Sequence, residues 1–232
     1  GKLFKPRDAK LFKPRNSLGN TGGQFYTAKN PEYGAVFTYN LNNVPKTSKS
    51  LRMQRERTLN TDNKDIPFPG YDKLSEEMNE KSASIILTIK DSEGNHIRNV
   101  KKNASNGSSR IAWNLRHQSY YPIRAGRGQA NSWFNPSGPY VTPGEYHAEI
   151  YLENNGSVEK LDGPIAFNVK PLRKGTLEGA SYSDYNSFRT RVSNLYISMS
   201  KYQDEFNMMK SKIELLDKAS LQLETFSPEI MK

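Results

Sequence analysis

Hydrolysis of a glycoside needs two carboxylates positioned across a concave surface, acyl transfer needs a nucleophile beside a base, and a metal needs ligands at characteristic spacing. Few residues of this chain are arranged for any of these. Its acids fall in predicted turns (Asp91, Glu93, Asp162), in a charged stretch, or on the polar side of a C-terminal helical pattern, and nothing pairs them. His96, His117 and His147 lie on separate predicted elements without ligand spacing. Asp62-Asn63-Lys64-Asp65 superficially suggests a calcium loop, but the alternating oxygen ligands, the Gly and the distal bidentate Glu are missing. Neither a nucleophile elbow nor a phosphate-binding glycine loop occurs. The chain has no Cys, which removes disulfides, thiolate nucleophiles and Cys-based zinc sites together. Sequons at Asn103, Asn106 and Asn155 are no more than chance supplies in a chain with 22 Asn. The expectation is a segment without catalytic, cofactor-binding or metal-binding residues.

One group of side chains suits binding. Tyr120, Tyr121, Trp133, Phe134 and Tyr140 fall in a Gly- and Pro-rich stretch. Exposed rings there could stack on sugar faces, and this makes a carbohydrate-binding module, accessory to a glycosidase, the alternative function. The competing expectation is that the rings close the end of a domain or dock on a neighbouring one, since large aromatics usually end packed.

Charge is uneven. The net charge is +10. Residues 1–60 hold 12 Lys or Arg against Asp8, Glu32 and Glu56, a balance of +9 that leaves +1 for the other 172. A basic segment suits an acidic protein or lipid surface. Nucleic acid is not expected: the basic residues at 46–57 have few interleaved aromatics and no recognition motif. No run of 18 apolar residues exists, so no transmembrane span is expected.

These residues must be carried by elements. Residues 1–33 are turn-rich and basic, and the hexapeptide Lys-Leu-Phe-Lys-Pro-Arg occurs at 2–7 and again at 10–15. A linker or arm lying on a neighbouring surface is expected, each Pro arguing against a central strand. Residues 34–172 predict a sandwich. Tyr33–Leu41 is aromatic and β-branched; strands follow at 84–91, 96–101, 107–115, 144–152 and 157–169, with Glu93-Gly94-Asn95 and Asn154-Asn155-Gly156 as hairpin turns. Short strands at this spacing predict a mainly β, antiparallel sandwich of immunoglobulin or fibronectin type. Its expected core is Val36, Ile86, Ile111, Trp113, Tyr146, Ile150 and Phe167. A charged insertion at 42–83 interrupts it, with a basic helix near Ser48–Leu59 and a loop thereafter.

Residues 173–232 change texture. No Gly or Pro occurs between Ala180 and Ser227. Ser181 and Asp184 suit a helix start. Apolar residues then fall at Tyr185, Phe188, Val192, Leu195, Met199, Tyr202, Phe206, Met209, Ile213 and Leu216, alternating steps of three and four. That is a heptad seam on one long amphipathic helix, a coiled-coil pattern that needs a partner. Aromatics and Met of uneven size suit a heterogeneous partner better than a regular two-fold zipper. Ser227, Pro228 and Glu229 read as the start of a second helix, so the expected partner is a returning helix beyond Lys232 or a separate protein.

Several stretches resemble one family. Asn30–Tyr39 (NPEYGAVFTY) resembles a segment found just after the propeller in bacterial sortilin-type, Asp-box β-propeller proteins, which are often labelled glycosyl hydrolases. Asp91–Val100 (DSEGNHIRNV), Arg110–Arg116 (RIAWNLR), Gly138–Tyr146 (GPYVTPGEY), the Leu11–Arg15 stretch and the closing helix resemble the same family's C-terminal region. The resemblance runs from about residue 10 to the end. It implies a sandwich carried behind a propeller, docked on that upstream propeller, exported to the periplasm, outer-membrane surface or medium, and part of an envelope complex. The propeller signature Ser-x-Asp-x-Gly-x-Thr-Trp is missing, so any glycosidase chemistry is expected upstream of Gly1, and the family supplies no catalytic residue here.

Overall fold

The computed structural model describes residues 1–14, 28, 30–120, 138–173, 175 and 179–222. The chain divides into two compact units, one of residues 1–118 with 137–177 and one of residues 119–136 with 178–232.

In chain order the first unit contains β1 (Lys2–Leu3), β2 (Ala9–Leu11), β3 (Ala35–Leu41), α1 (Ser48–Thr61), α2 (Tyr71–Asn79), β4 (Ser84–Asp91), β5 (His96–Asn103), β6 (Gly107–Trp113), β7 (Gly144–Asn154) and β8 (Ser157–Pro171). They form a three-stranded sheet, β1-β3-β6, and a five-stranded sheet, β2-β8-β7-β4-β5. The inner faces share one core: Phe37 meets Phe167 edge-on at 5.1 Å, and Trp113 lies 5.5 Å from Tyr146 and 6.1 Å from Phe167. The expected hairpins form at both turns, with Asn155 and Gly156 at positive φ. Gly34 is needed for a different reason. A Cβ there would lie 2.0 Å from the Trp113 carbonyl oxygen, so only a residue without one lets β3 pass β6 at this point.

The structure corrects the sequence in several places. The five-stranded sheet is mixed, because β2 runs parallel to β8 while the other pairings are antiparallel. β2 arrives by a short crossing from the other sheet rather than through a hairpin, so no turn forces it to run against its neighbour. The basic arm, expected to lie on a neighbouring surface, adds strands to the two sheets themselves. Each copy of the repeat supplies an edge strand to a different sheet: Lys2-Leu3 of the first copy pairs with Asn40 and Tyr39, and Lys10-Leu11 of the second pairs with Lys170 and Pro171. Leu3 is 2% exposed and Leu11 packs against the core. Pro6 and Pro14 fall just past the paired residues, where a missing N–H costs no ladder bond. The duplication thus has a structural meaning, one copy per sheet edge.

Asp162 fixes the first of these strands. Its carboxylate accepts from the Leu3 amide at 2.7 Å and from the Gly163 amide at 2.8 Å, and those two bonds hold it below the usual carboxylate range. Asp162→Ala should therefore loosen β1 and cost about 1–2 kcal/mol. Amide exchange at Leu3 reports this directly; protection equal to wild type would show that β1 is held by the β3 ladder alone.

Two expected core residues sit on the outer faces. In β3 the buried set is Ala35, Phe37, Tyr39 and Leu41, with Val36 half-buried opposite them. In β4 Ile85, Leu87 and Ile89 are buried and Ile86 is half-buried. A one-residue slip of parity moves a whole strand's side chains to the other face. Ile111, Trp113, Tyr146, Ile150 and Phe167 are all buried as expected.

The insertion at 42–83 carries two helices where one is expected. Thr47 caps α1 by accepting from the Ser50 amide at 3.2 Å, and Asn63 at positive φ ends it. α2 follows the IPFPG turn. Arg52 clamps the pair: its guanidinium donates to both oxygens of Glu77 and, at 2.6 Å, to Glu56.

In the second unit the described residues are 119–120 and 179–222, and they include α3 (Tyr182–Ser220), a helix of 39 residues and, at about 1.5 Å each, about 58 Å long. Ser181 caps it, its hydroxyl accepting from the Asp184 amide at 3.1 Å, as the sequence predicts. No helix among the described residues is long and apolar enough to cross a membrane.

Candidate functional site

The heptad seam comes out of the sequence intact and open to water. All ten members, from Tyr185 to Leu216, are 44–69% exposed. Most residues of α3 with reduced exposure follow a different stripe, Asn186, Arg189, Ser193, Tyr196, Ser200 and Asp204, again at steps of three and four, with Glu205 and Ser220 off it. This second stripe is mostly polar, and Tyr196 on it meets the Tyr120 ring edge-on at 5.3 Å. Among the described residues Tyr120 packs on this polar stripe, while the apolar seam stays exposed. Each such side chain gains about 1.5–3 kcal/mol on burial, and monomers rarely expose a contiguous apolar patch above a few hundred Å². Geometry of this kind offers area, not chemistry: it can bind a complementary helix.

The expected aromatic surface is only partly described. Tyr121, Trp133 and Phe134 lie outside the described residues, as do Ser227, Pro228 and Glu229 of the expected second helix. Tyr120 packs on Tyr196. Tyr140, in the other unit, is half-buried, with the Arg116 guanidinium 3.7 Å from its ring centroid and Tyr33 edge-on at 6.4 Å. Tyr33 in turn meets Phe12 at 4.9 Å. One face of Tyr140 is therefore taken by Arg116, whose own orientation is fixed by a bond to the Gly138 carbonyl at 2.9 Å.

Among the acids the most constrained is one the sequence does not single out. Glu149, on the outer face of β7, is 6% exposed. It accepts from Lys160 at 2.6 Å, Lys90 at 2.7 Å and the Tyr151 hydroxyl at 2.9 Å. The bonds from Lys160 and Lys90 outweigh burial and push its pKa down to about 2. Lys90 is raised by the same contact. A carboxylate held ionised by three donors cannot serve as a general acid at neutral pH, and none of its partners is a second carboxylate. Asp91 is engaged in its own turn, accepting from the Glu93 and Asn95 amides at 3.0 and 2.8 Å. Among the described residues no group of three His, Asp or Glu is placed to hold a metal.

A groove of about 950 Å³ lies between α1 and α2 of the insertion, lined among others by Arg55, Leu59, Pro67, Phe68 and Lys73. Phe68 of its lining meets Tyr71 edge-on at 5.1 Å, both strongly exposed. The signal for it in the sequence was the IPFPGY segment.

Compared with known proteins, the chain matches no family model, no curated protein and no solved structure.

Proposed function

We propose that this chain is a non-catalytic accessory module that docks within a larger protein and mediates protein–protein assembly through α3. The observation that supports it is the ten-residue apolar seam standing open along a 39-residue helix. A helix that leaves ten large apolar residues of one seam exposed is suited to a partner. The finer assignment rests on the resemblance: an immunoglobulin- or fibronectin-like sandwich from the C-terminal region of a sortilin-type propeller protein, docked on that propeller and exported to the cell envelope. The two sheets around a common core with a Trp at its centre are compatible with that type. Carbohydrate binding is the weaker reading, since Tyr140 gives one face to Arg116 instead of presenting a flat open ring.

Two measurements test the proposal. The chain should show no turnover of glycosides, esters, peptides or phosphoesters; activity abolished by changing a single carboxylate would sink the accessory reading. A pull-down with the chain as bait should recover a partner that is lost when Leu195→Glu and Met209→Glu charge the seam. A partner retained by that variant would move the assembly surface elsewhere.

A further inference from the structure

The seam's occupant can be read from the charges that flank it. With Tyr185, Val192, Met199, Phe206 and Ile213 at one seam position and Phe188, Leu195, Tyr202, Met209 and Leu216 at the other, the flanking residues are fixed by the heptad. Asp184, Arg191, Ser198, Glu205 and Lys212 precede the first set, and Arg189, Tyr196, Gln203, Lys210 and Asp217 follow the second. In a parallel, in-register pair each flanking residue of one helix meets the residue five positions later on the other. Glu205 then faces Lys210, and Lys212 faces Asp217, each twice by symmetry. Asp184 stands in the same relation to Arg189. Arg191 meets Tyr196, a ring that accepts a cation, and Ser198 meets Gln203. No like charges oppose each other.

An antiparallel pair with full overlap reverses the outcome. It sets Arg191 against Lys212 and Arg189 against Lys210, again each twice, and brings no opposite charges together. Charge therefore selects both a self-complementary partner and its direction. Glu205, Lys210, Lys212 and Asp217 have no ion pair within the described chain and are available for this role. Area suffices as well. The four seam aromatics leave on the order of 400 Å² per copy open to water, so two full seams bring more than the roughly 1,200 Å² a specific interface buries. The uneven residue sizes are less of an obstacle in this register than they first suggest, because every layer places a residue against its own kind.

We infer that α3 pairs with the α3 of a second copy of this chain as a parallel, in-register two-stranded coiled coil. The inference rests on the assembly reading and names its partner.

The absence of Cys makes the test direct. The full chain should sediment at twice 26.4 kDa. Leu216→Cys should oxidise to a covalent dimer, since identical seam positions meet in a parallel pair; in the antiparallel pair two such cysteines would be about 46 Å apart, far beyond disulfide reach. Glu205→Lys with Asp217→Lys, and separately Lys210→Glu with Lys212→Glu, each turn four attractive contacts into repulsive ones and should weaken self-association on the order of 100-fold. Mixing the two variants should restore a dimer, because every reversed charge then meets its opposite. These positions are on the helix surface, so circular dichroism should report unchanged helix content. A monomer, a mass other than two copies, a Leu216→Cys chain that does not cross-link, or a mixture that stays apart would each overturn the inference. A monomer that still captures a seam-dependent partner overturns self-pairing alone, whereas carboxylate-dependent turnover would defeat the assembly reading whatever the oligomeric state.

Discussion

Trp113→Ala should lower the unfolding free energy by about 3–5 kcal/mol. Trp113 is fully buried at the end of β6, between Tyr146 and Phe167 of the facing sheet. Removing the indole takes away the contact surface of both rings and leaves a hole that two strand ladders hold open, since β6 is paired to β3 over seven residues and β7 to β8 over ten. It also leaves the Arg116 carbonyl without the indole N–H that reaches it at 2.9 Å. That bond is local, and it fixes the chain where Arg116 turns to stack on Tyr140. Trp113→Phe separates the two contributions: it keeps most of the packing and loses the bond, and should cost clearly less than Ala. Urea unfolding of the three proteins measures both steps. An Ala variant within 1 kcal/mol of wild type would show that the two sheets do not depend on a common core.

Much of this core was legible because the alternation is strong. GEYHAEIYL places Tyr146, Ala148 and Ile150 on one face, and all three are buried. The same parity was available in β3 and β4. Thr38 and Asn40 share a face with Val36, and Thr88 and Lys90 share one with Ile86, so the polar companions mark those faces as outer. Val36 and Ile86 share the parity of those polar residues, which is why they lie on the outer faces. α2 was not legible for a different reason. Nine residues with no buried member carry no tertiary pattern, and what holds them is a salt bridge from Arg52, twenty-five residues away in sequence. The two edge strands at the N-terminus were hidden by brevity, since two and three residues are too few to show a period.

The candidate site divides the same way. The seam was written plainly in the sequence, because a heptad is a local period and the helix keeps it. Its exposure was not, since only the structure places the less exposed stripe on the polar side. Glu149 could not be found from sequence. It stands among Glu145, His147 and Glu153 as one more outward polar residue of β7. Its burial arises from two neighbours in other strands: Lys90 of β4 and Lys160 of β8, both brought to it by the ladders.

That junction should govern the acid limb of the stability curve. Glu149 has a folded pKa of about 2 against an ordinary value of 4.5. A carboxylate with a depressed folded pKa contributes stability that is present above its unfolded pKa and lost as the pH falls through the folded one. The contribution should be complete above about pH 5.5 and nearly gone at pH 2. Lys90 and Lys160 are 34% and 42% exposed, so solvent screens part of it, and about 2 kcal/mol is expected at neutral pH. Glu149→Gln keeps the size and the acceptor oxygen but removes the charge, and it leaves two ammonium groups facing each other across β7. The variant should be less stable by that amount at pH 7 and should converge with wild type as the pH approaches 2. Asp162 also titrates with a depressed pKa, but it is unchanged in both proteins and cancels in the difference. Urea midpoints of the pair between pH 7 and pH 2 give that difference directly. Curves that run parallel through this range, with a constant offset, would mean that Glu149 contributes through shape and hydrogen bonding alone and that its charge is not what holds β4, β7 and β8 together on their outer face.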